Sequence, residues 1–279
     1  MTIKTILIAL NEVGLNDQIL AASAELAIKF DAHIVGLYVI PAAEVYPIIG
    51  ESLSTQVYAG HRDYYIEQSG KVKQAFESQM ALHGVKCEWR KIDVKSSLVA
   101  DGVMPHCFHS DLIIVPQKPE KLDLENLDAR VENDFTERVI MESGRPVLII
   151  PTTGEFSGIG QQVVIGWNGT REAARSAFYA IPFMKEAKNV TIAWVNAQSD
   201  LPGSELATCL SRHGITTTTR SVEAADASVG EELLSTASNL RADLLVMGGY
   251  GHSRLREFIL GGATRTVLDK MTIPVLMSH

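Results

Sequence analysis

The stretch LLVMGGYGHSRLREFILGGATRTVL, from Leu244 to Leu268, combines the patterns that decide the fold. It begins as an apolar run of the kind that forms a buried strand, and it ends as a segment with helical periodicity. Two glycine groups, at 248–251 and at 261–262, stand between these parts. Because glycine has no side chain, it lets a neighbour approach the backbone closely. The stretch therefore predicts a strand, a glycine-rich loop and a helix.

The same order of segments occurs twice in the chain. SDLIIVPQK at Ser110 and SGRPVLIIP at Ser143 correspond to ADLLVMGGY at Ala242 and MTIPVLMSH at Met271. Similarly, KTILIALN at Lys4 parallels QQVVIGWN at Gln161. The repetition predicts a tandem duplication, with one domain at 1–151, a linker at 152–160 and a second domain at 161–279.

Each half alternates short apolar runs with longer segments of helical period. This alternation is typical of βαβ units and predicts an α/β fold of two Rossmann-like domains, each with a five-stranded parallel sheet and four helices. The first half carries an insertion at about 41–60, which we expect to be helical or irregular. The strands predicted in the second half are Val163–Trp167, Val190–Val195, Thr216–Val222, Asp243–Met247 and Pro274–Met277.

Composition excludes several function classes. The chain has 279 residues, of which 46% are hydrophobic and 21% charged, as in an ordered globular protein. The net charge of −8 argues against a nucleic-acid partner, which requires a clustered basic face. The apolar run TILIAL after Lys4 is too short for a signal peptide or a membrane span. Three cysteines without paired spacing suit a reducing compartment, so we expect a cytoplasmic protein without a membrane partner.

The glycine loop is the candidate binding site. In an open parallel sheet, ligands bind beyond the carboxyl ends of the strands, where the strand order reverses. Bare backbone N–H groups and the positive end of a helix form an anion site there, for which phosphate is the natural ligand. Asn168 follows the first strand of the second half, where it could contact a ribose or an adenine edge or serve as a helix N-cap.

These residues resemble the universal stress protein family. The spacing G-x2-G-x9-G, followed by Thr264 and placed between a strand and a helix, is similar to the ATP-binding loop of that family. VVIGWNGTREAARSA and the terminal IPVLMSH resemble its first and last strands, and the likeness extends over both halves. The resemblance implies an adenine-nucleotide-binding protein that acts in the stress response, with ATP and Mg²⁺ as the ligands.

The resemblance also implies a set of binding residues in the second half. Val195 would meet the adenine through its backbone, and Asn168 stands where nucleotide-binding members usually have Asp. Gly262 stands where Ser or Thr is common, so one hydroxyl is missing. The residues expected around the phosphates are Gly248, Gly251, Gly261, Gly262, Ala263 and Thr264.

The chain lacks the usual parts of a fast hydrolase. It has no Walker-type lysine and no evident base to activate water, so we expect slow ATP hydrolysis at most. The alternative is a protein that binds no nucleotide and acts through its paired domains as an interaction or small-ligand protein.

The first half is expected to be a degenerate copy. Its segment VPQKPEKLDLENLDARVENDF has no glycine, carries prolines without N–H groups and is rich in acidic residues that would repel phosphate. By the same resemblance, the last strands of the two halves, RPVLIIP and IPVLMSH, would pair as an intramolecular pseudo-dimer. Further pairing into a homodimer remains open.

Other residues favour structural explanations. His106, Cys107 and His109 attract a zinc hypothesis, but their spacing does not easily converge on one tetrahedral ion. The arginines at 254, 256 and 265 could neutralise phosphate, although arginine is mostly exposed regardless of function. For the tyrosines of the insertion and the helix after it, Tyr46, Tyr58, Tyr64 and Tyr65, core or interface packing is preferred over a pocket.

Overall fold

A computed structural model gives the architecture and describes residues 2–11, 16–43, 51–118, 131–196, 203–223, 228–251 and 262–279. Within these ranges the two halves repeat one alternation of strands and helices. The first half contains β1 (Thr5–Ala9), α1 (Asn16–Phe30), β2 (His33–Ile40), α2 (Glu51–Leu82), β3 (Cys87–Asp93), α3 (Val99–Cys107), β4 (Leu112–Pro116), α4 (Phe135–Glu142) and β5 (Val147–Ile150). The second half contains β6 (Gln162–Gly166), α5 (Arg171–Tyr179), α6 (Ile181–Met184), β7 (Asn189–Val195), α7 (Ser204–Ser211), β8 (Thr218–Val222), α8 (Val229–Asn239), β9 (Leu244–Gly248), α9 (Gly262–Lys270) and β10 (Val275–Ser278).

All ten strands form one sheet in the order β3-β2-β1-β4-β5-β10-β9-β6-β7-β8. Strands within each half are parallel, which confirms the predicted α/β class. The two halves join through β5 and β10, which pair antiparallel with Leu148 opposite Leu276. The last strands therefore pair within the chain, as the sequence predicts. Because they run in opposite directions, the carboxyl ends of the two half-sheets lie at opposite edges.

The strand sequences explain why the sheet is covered on both faces. In β1, Ile6 and Ile8 belong to the core on one face, while Leu7 and Ala9 belong to the core on the other. Central strands of a parallel sheet are buried on both sides, so they are apolar throughout rather than alternating with polar residues. The run LLVM in β9 follows the same rule, with all four residues buried.

Aromatic residues of the two halves meet on one face of the sheet. Phe30, at the end of α1, and Phe183, in α6, pack edge to face with ring centroids 5.0 Å apart. The Lys29 Nζ donates to the Ile159 carbonyl oxygen at 3.0 Å, which ties α1 to the segment between the halves. The first half and this connecting segment thus pack directly on the second half.

A second contact between the halves lies on the opposite face. Gln117, directly after β4, donates from Nε2 to the carbonyl oxygen of Leu268 at 2.8 Å and accepts from the Thr152 N–H at 3.2 Å. Gln117 is only 6% exposed. The first half therefore satisfies a backbone carbonyl near the end of α9, the helix that begins at the glycine loop.

The structure departs from the sequence prediction in the helices. The second half has five helices in its described residues rather than four, because α6 is separate from α5 and carries Pro182 in its first turn. Proline lacks an N–H group, so it begins a new helix more readily than it continues one. In the first-half insertion, residues 51–60 are the start of α2, while residues 44–50, with Tyr46, lie outside the described residues.

Two further features concern the role of Tyr65 and the possibility of a membrane span. Tyr65 is buried and packs against Tyr38 with ring centroids 6.4 Å apart, as expected of a core residue. No helix in the described part of the chain is both long and apolar enough to cross a bilayer.

We expect Gln117→Leu to lower the free energy of unfolding by about 1–3 kcal/mol, the typical cost of leaving a buried polar group without its partner. Urea denaturation measures the change. Gln74→Leu, on the exposed face of α2, is the matched control and should change stability little. Equal stability of the two variants would contradict the importance of this contact.

Candidate functional site

The candidate site lies at the carboxyl edge of the second half-sheet. β6 and β9 are hydrogen-bonded neighbours with Gly166 opposite Met247, so the loops that follow them emerge side by side. β7 lies on the other side of β6. The strand order therefore reverses at this point, which is where open α/β sheets bind ligands.

The loop after β9 packs against the first turn of α5. A Cβ atom at Gly248 would lie 2.6 Å from the Ala173 backbone nitrogen, and one at Gly251 would lie 3.0 Å from the Glu172 Oε2. At Gly249 it would lie 2.7 Å from the Ile140 Cγ2, in helix α4 of the first half. The protein's own packing thus requires bare backbone at Gly248 and close approach at the other two positions.

The start of α9 differs from the loop in this respect. Gly262 is exposed, and a Cβ atom there would meet no atom of the described residues within 4 Å. Thr264 is buried two residues later and accepts a hydrogen bond on its Oγ1 from the Tyr250 N–H at 3.2 Å. The threonine therefore ties the helix start to the glycine loop. Ala263 lies between them and is partly exposed.

The remaining candidate residues fall into three groups. Gly261, Arg254 and Arg256 lie outside the described residues. Arg265 is exposed and pairs with Asp269 one turn along α9 at 3.7 Å, as on a solvated helix face. Val195 is the last residue of β7 and is partly exposed at the same edge of the sheet.

Asn168 does not cap the following helix. Its Oδ1 accepts from the N–H of Thr170 at 3.2 Å and from the Thr170 hydroxyl at 2.9 Å. Thr170 is the N-cap of α5 and accepts from the Ala173 N–H, so the interpretation of Asn168 as the cap is wrong. Gly169, with φ of 73°, turns the chain between the two residues and moves the helix start past Asn168. The Asn168 side chain is exposed at the rim of the site.

Glu172 is a residue of the site that the sequence analysis missed. Its side chain is 2% exposed, although it lies next to Gly251, and its Oε1 accepts a hydrogen bond from the Arg171 Nε. Burial acts to raise the pKa of this carboxyl, but the hydrogen bond and positive charge of Arg171, together with the backbone N–H of Glu172, outweigh burial, and the pKa lies below its usual range. A buried, ionised carboxylate therefore borders the glycine loop.

Comparison with known proteins agrees with this geometry. Residues 171–279 match the model of the universal stress protein family. This part of the chain is a universal stress protein domain. A universal stress protein from Archaeoglobus fulgidus DSM 4304 has a similar structure, with a TM-score of 0.72, 16% identity and coverage of 98% of this chain and 97% of that one.

Two further proteins are similar. A protein of unknown function from Pseudomonas aeruginosa PAO1 has a TM-score of 0.61 at 16% identity, with 99% of this chain and 92% of that chain covered. Universal stress protein Slr1230 from Synechocystis is 56% identical over 34 residues, which is 12% of each chain. The structural likenesses extend over both halves of the chain and show a shared fold.

The first half has positions equivalent to the site of the universal stress protein domain. Its own side chains fill the space there. Asn11 follows β1 at the same distance as Asn168 follows β6, and it is 5% exposed. Its Nδ2 donates to the Val39 carbonyl oxygen at 2.7 Å, and its Oδ1 accepts from the Val39 N–H at 3.0 Å. By strand register Val39 is the counterpart of Val195. The backbone groups that would meet an adenine are therefore already bonded.

A carboxylate lies near the equivalent of the phosphate loop. The Glu132 carboxylate accepts from the N–H groups of Val99 and Ala100 at 2.9 and 2.7 Å, so it caps the start of α3. Pro116 and Gln117 stand where the second half has Gly248 and Gly249. The acidic segment at 119–130 lies outside the described residues.

The histidine and cysteine cluster does not converge. Cys107 is buried in the core, where burial raises the pKa of its thiol to about 12. The His106 ring is 3.1 Å from the Arg90 Nη1, and the exposed His109 contacts the Pro105 carbonyl oxygen. No group of three possible ligands gathers to hold a metal ion within the described ranges.

The glycines at 248 and 262 should respond differently to substitution. We expect Gly248→Ala to lower the free energy of unfolding by about 1–3 kcal/mol, since its Cβ atom would overlap the α5 backbone. Gly262→Ala should change stability by less than about 1 kcal/mol, because the added methyl group meets open space. Thermal denaturation of the two variants, side by side, tests the distinction, and an equal loss of stability would contradict it.

Proposed function

We propose that the second half of the chain binds one adenine nucleotide, ATP, at the carboxyl edge of its sheet. In this proposal the protein is a regulatory member of the stress response, in which nucleotide occupancy biases conformation or association. The observation that carries the proposal is the open start of α9 beside a loop of bare backbone. We assign nucleotide contacts to Asn168, Val195, Gly248, Gly251, Gly261, Gly262, Ala263 and Thr264.

The phosphates would bind at the start of α9. The first N–H groups of a helix have no partners within the helix, and the helix dipole places partial positive charge there. Gly262 is compatible with this placement because no atom of the described residues would lie within 4 Å of a Cβ atom there. The Thr264 hydroxyl lies in the same turn and fixes the loop in position.

The base would bind at the end of β7. Val195 is the last residue of that strand, and Asn168 is exposed at the neighbouring rim. In the first half, Asn11 donates and accepts at the equivalent backbone groups, in the way an amide-like adenine edge would. This internal substitute supports the end of β7 as the base position, and it leaves the first half without nucleotide. We therefore infer a binding domain at 161–279 and a degenerate one at 1–151.

Mg²⁺ would enter with the nucleotide. This ion prefers oxygen ligands and is commonly held by substrate phosphates, water and one or two carboxylates. The carboxylate beside the loop, Glu172, is already paired with Arg171, and Asn168 Oδ1 already accepts two hydrogen bonds. The phosphates and water would thus supply most of the coordination. With no base among the assigned residues, we expect slow hydrolysis at most.

One observation favours the alternative function. The protein's own packing explains the absence of side chains at Gly248, Gly249 and Gly251, so these three glycines do not require a ligand. If Gly262 is also explained without one, the protein would act as an interaction or small-ligand protein through its paired halves.

The three free cysteines of the chain are compatible with the proposed cytoplasmic location.

Calorimetric titration with Mg·ATP tests the proposal. We expect one ATP bound per chain and no second site, because Asn11 closes the first-half position. Gly262→Val should weaken ATP binding at least about tenfold, a loss of about 1.4 kcal/mol. Its thermal stability should match that of Gly70→Val, a control in α2 that also places the side chain in open space.

Two results would contradict the proposal. Absence of binding at millimolar ATP would favour the alternative function. Unchanged ATP affinity in Gly262→Val would show that the nucleotide binds elsewhere.

A further inference from the structure

The first turn of α5 places a cation beside the glycine loop. Arg171 donates from Nε to Oε1 of the Glu172 carboxylate, whose other oxygen lies against Gly251. The Arg171 side chain is 74% exposed, whereas that of Glu172 is 2% exposed. The guanidinium is therefore held at one nitrogen by a buried group and faces solvent with the remainder.

The position of Arg171 is not explained by helix stability. It is the first residue of α5, immediately after the Thr170 N-cap. Positive charge is unfavourable at a helix N-terminus, where the dipole already places partial positive charge. Glu172 in the same turn is favourable for the helix by the same rule. An arginine at this point balances the charge of Glu172 and presents N–H donors at the site, rather than stabilising α5 through the helix dipole.

The buried carboxylate determines where the guanidinium lies. Neighbouring residues on a helix do not normally face each other, so a contact between Arg171 and Glu172 requires the arginine to fold back. Glu172 is fixed by burial and borders Gly251, and it thus holds Arg171 at the rim of the loop. Among the described residues, the printed contact of the guanidinium is through Nε, which leaves the two Nη groups available as donors.

We propose that Arg171 is a polyphosphate-binding residue of the nucleotide site and that Glu172 is the residue that positions it. This inference rests on the proposed function and makes it more specific. Arginine forms bidentate hydrogen bonds with phosphate, and its charge is always present. Arg171 supplies the cation that a Walker-type lysine supplies in other nucleotide sites. The site therefore selects di- and triphosphates over the nucleoside.

Affinities for ATP, ADP and adenosine test this selection by calorimetry at fixed Mg²⁺ and ionic strength. Arg171→Gln should weaken ATP and ADP binding by about 10- to 100-fold, as expected for loss of a charge-assisted contact, while adenosine binding changes less than about twofold. Arg171→Lys keeps the charge without the fork and should lose part of the ATP affinity. Glu172→Gln should also reduce the preference for ATP over adenosine, because the guanidinium is no longer held.

Arg212→Gln is the matched control, with the same change of charge. Arg212 is the C-cap of α7, the helix that leads into β8, so it lies toward the amino edge of the half-sheet and away from the site. Its ATP affinity should equal that of the wild type. Arg171→Gln removes the ion-pair partner of the buried Glu172 carboxylate, so its melting temperature should fall, and all affinities are compared at a temperature where every variant is folded.

The outcomes separate this inference from the proposed function. If the wild type binds ATP and Arg171→Gln binds it equally well, the inference is wrong and the proposed function stands. If Arg171→Gln weakens adenosine as much as ATP, Arg171 shapes the whole site and the assignment to phosphate is wrong. If the wild type binds neither ATP nor adenosine, the proposed function and this inference fail together.

Discussion

The antiparallel pairing of β5 with β10 determines where the two halves contact each other. Val147 pairs with Met277 and Ile149 with Val275, so two parallel half-sheets become one sheet. This pairing places the carboxyl edge of the second half beside the end of α4 in the first half. The contact between Gly249 and Ile140 follows from that arrangement. Helix α4 of the first half thus supports the site of the second half, although the first half itself lacks the glycine loop.

The two copies keep one backbone and differ at a few side chains. At the residue after the fourth strand of each half, Gln117 reaches across to a carbonyl of α9, whereas Gly249 lets α4 approach the backbone. The asparagine after the first strand is buried and bonded to Val39 in one copy, and in the other it is exposed and bonded to Thr170. Buried polar groups must be satisfied internally, so Asn11 occupies the backbone groups at the end of β2. Asn168 is exposed and leaves the equivalent groups at the end of β7 without this contact. Under the proposed function, the first copy supports the site and the second copy binds the nucleotide.

Much of the fold could be predicted from the sequence, because the patterns that indicate strands and helices occur twice in the chain. The apolar runs after Pro146 and Pro274 identify the strands that pair, since they recur at the ends of both halves. The predicted strands of the second half agree with the structure to within two residues at each end. The extra helix at Pro182 was missed, although a proline after Ala180 is itself a signal for a helix start.

The side chains of the site were harder to predict. Glu172 looks like an ordinary charged residue of a first helical turn, and its burial depends on Gly251, which is distant in sequence. The role of Asn168 depends on the turn at Gly169, which decides whether the asparagine or Thr170 begins the helix. Both outcomes depend on tertiary contacts and local backbone geometry that residue type and spacing do not reveal.

Hydrogen–deuterium exchange with and without saturating Mg·ATP tests the central claim that only one copy binds nucleotide. We expect slower exchange in peptides that cover the end of β7, the loop after β9 and the start of α9. Peptides that cover the end of β2 and the segment between β4 and α4 should exchange at the same rate in both conditions. Equal protection in both halves, or protection confined to the first half, would show that nucleotide binding is not limited to the second half.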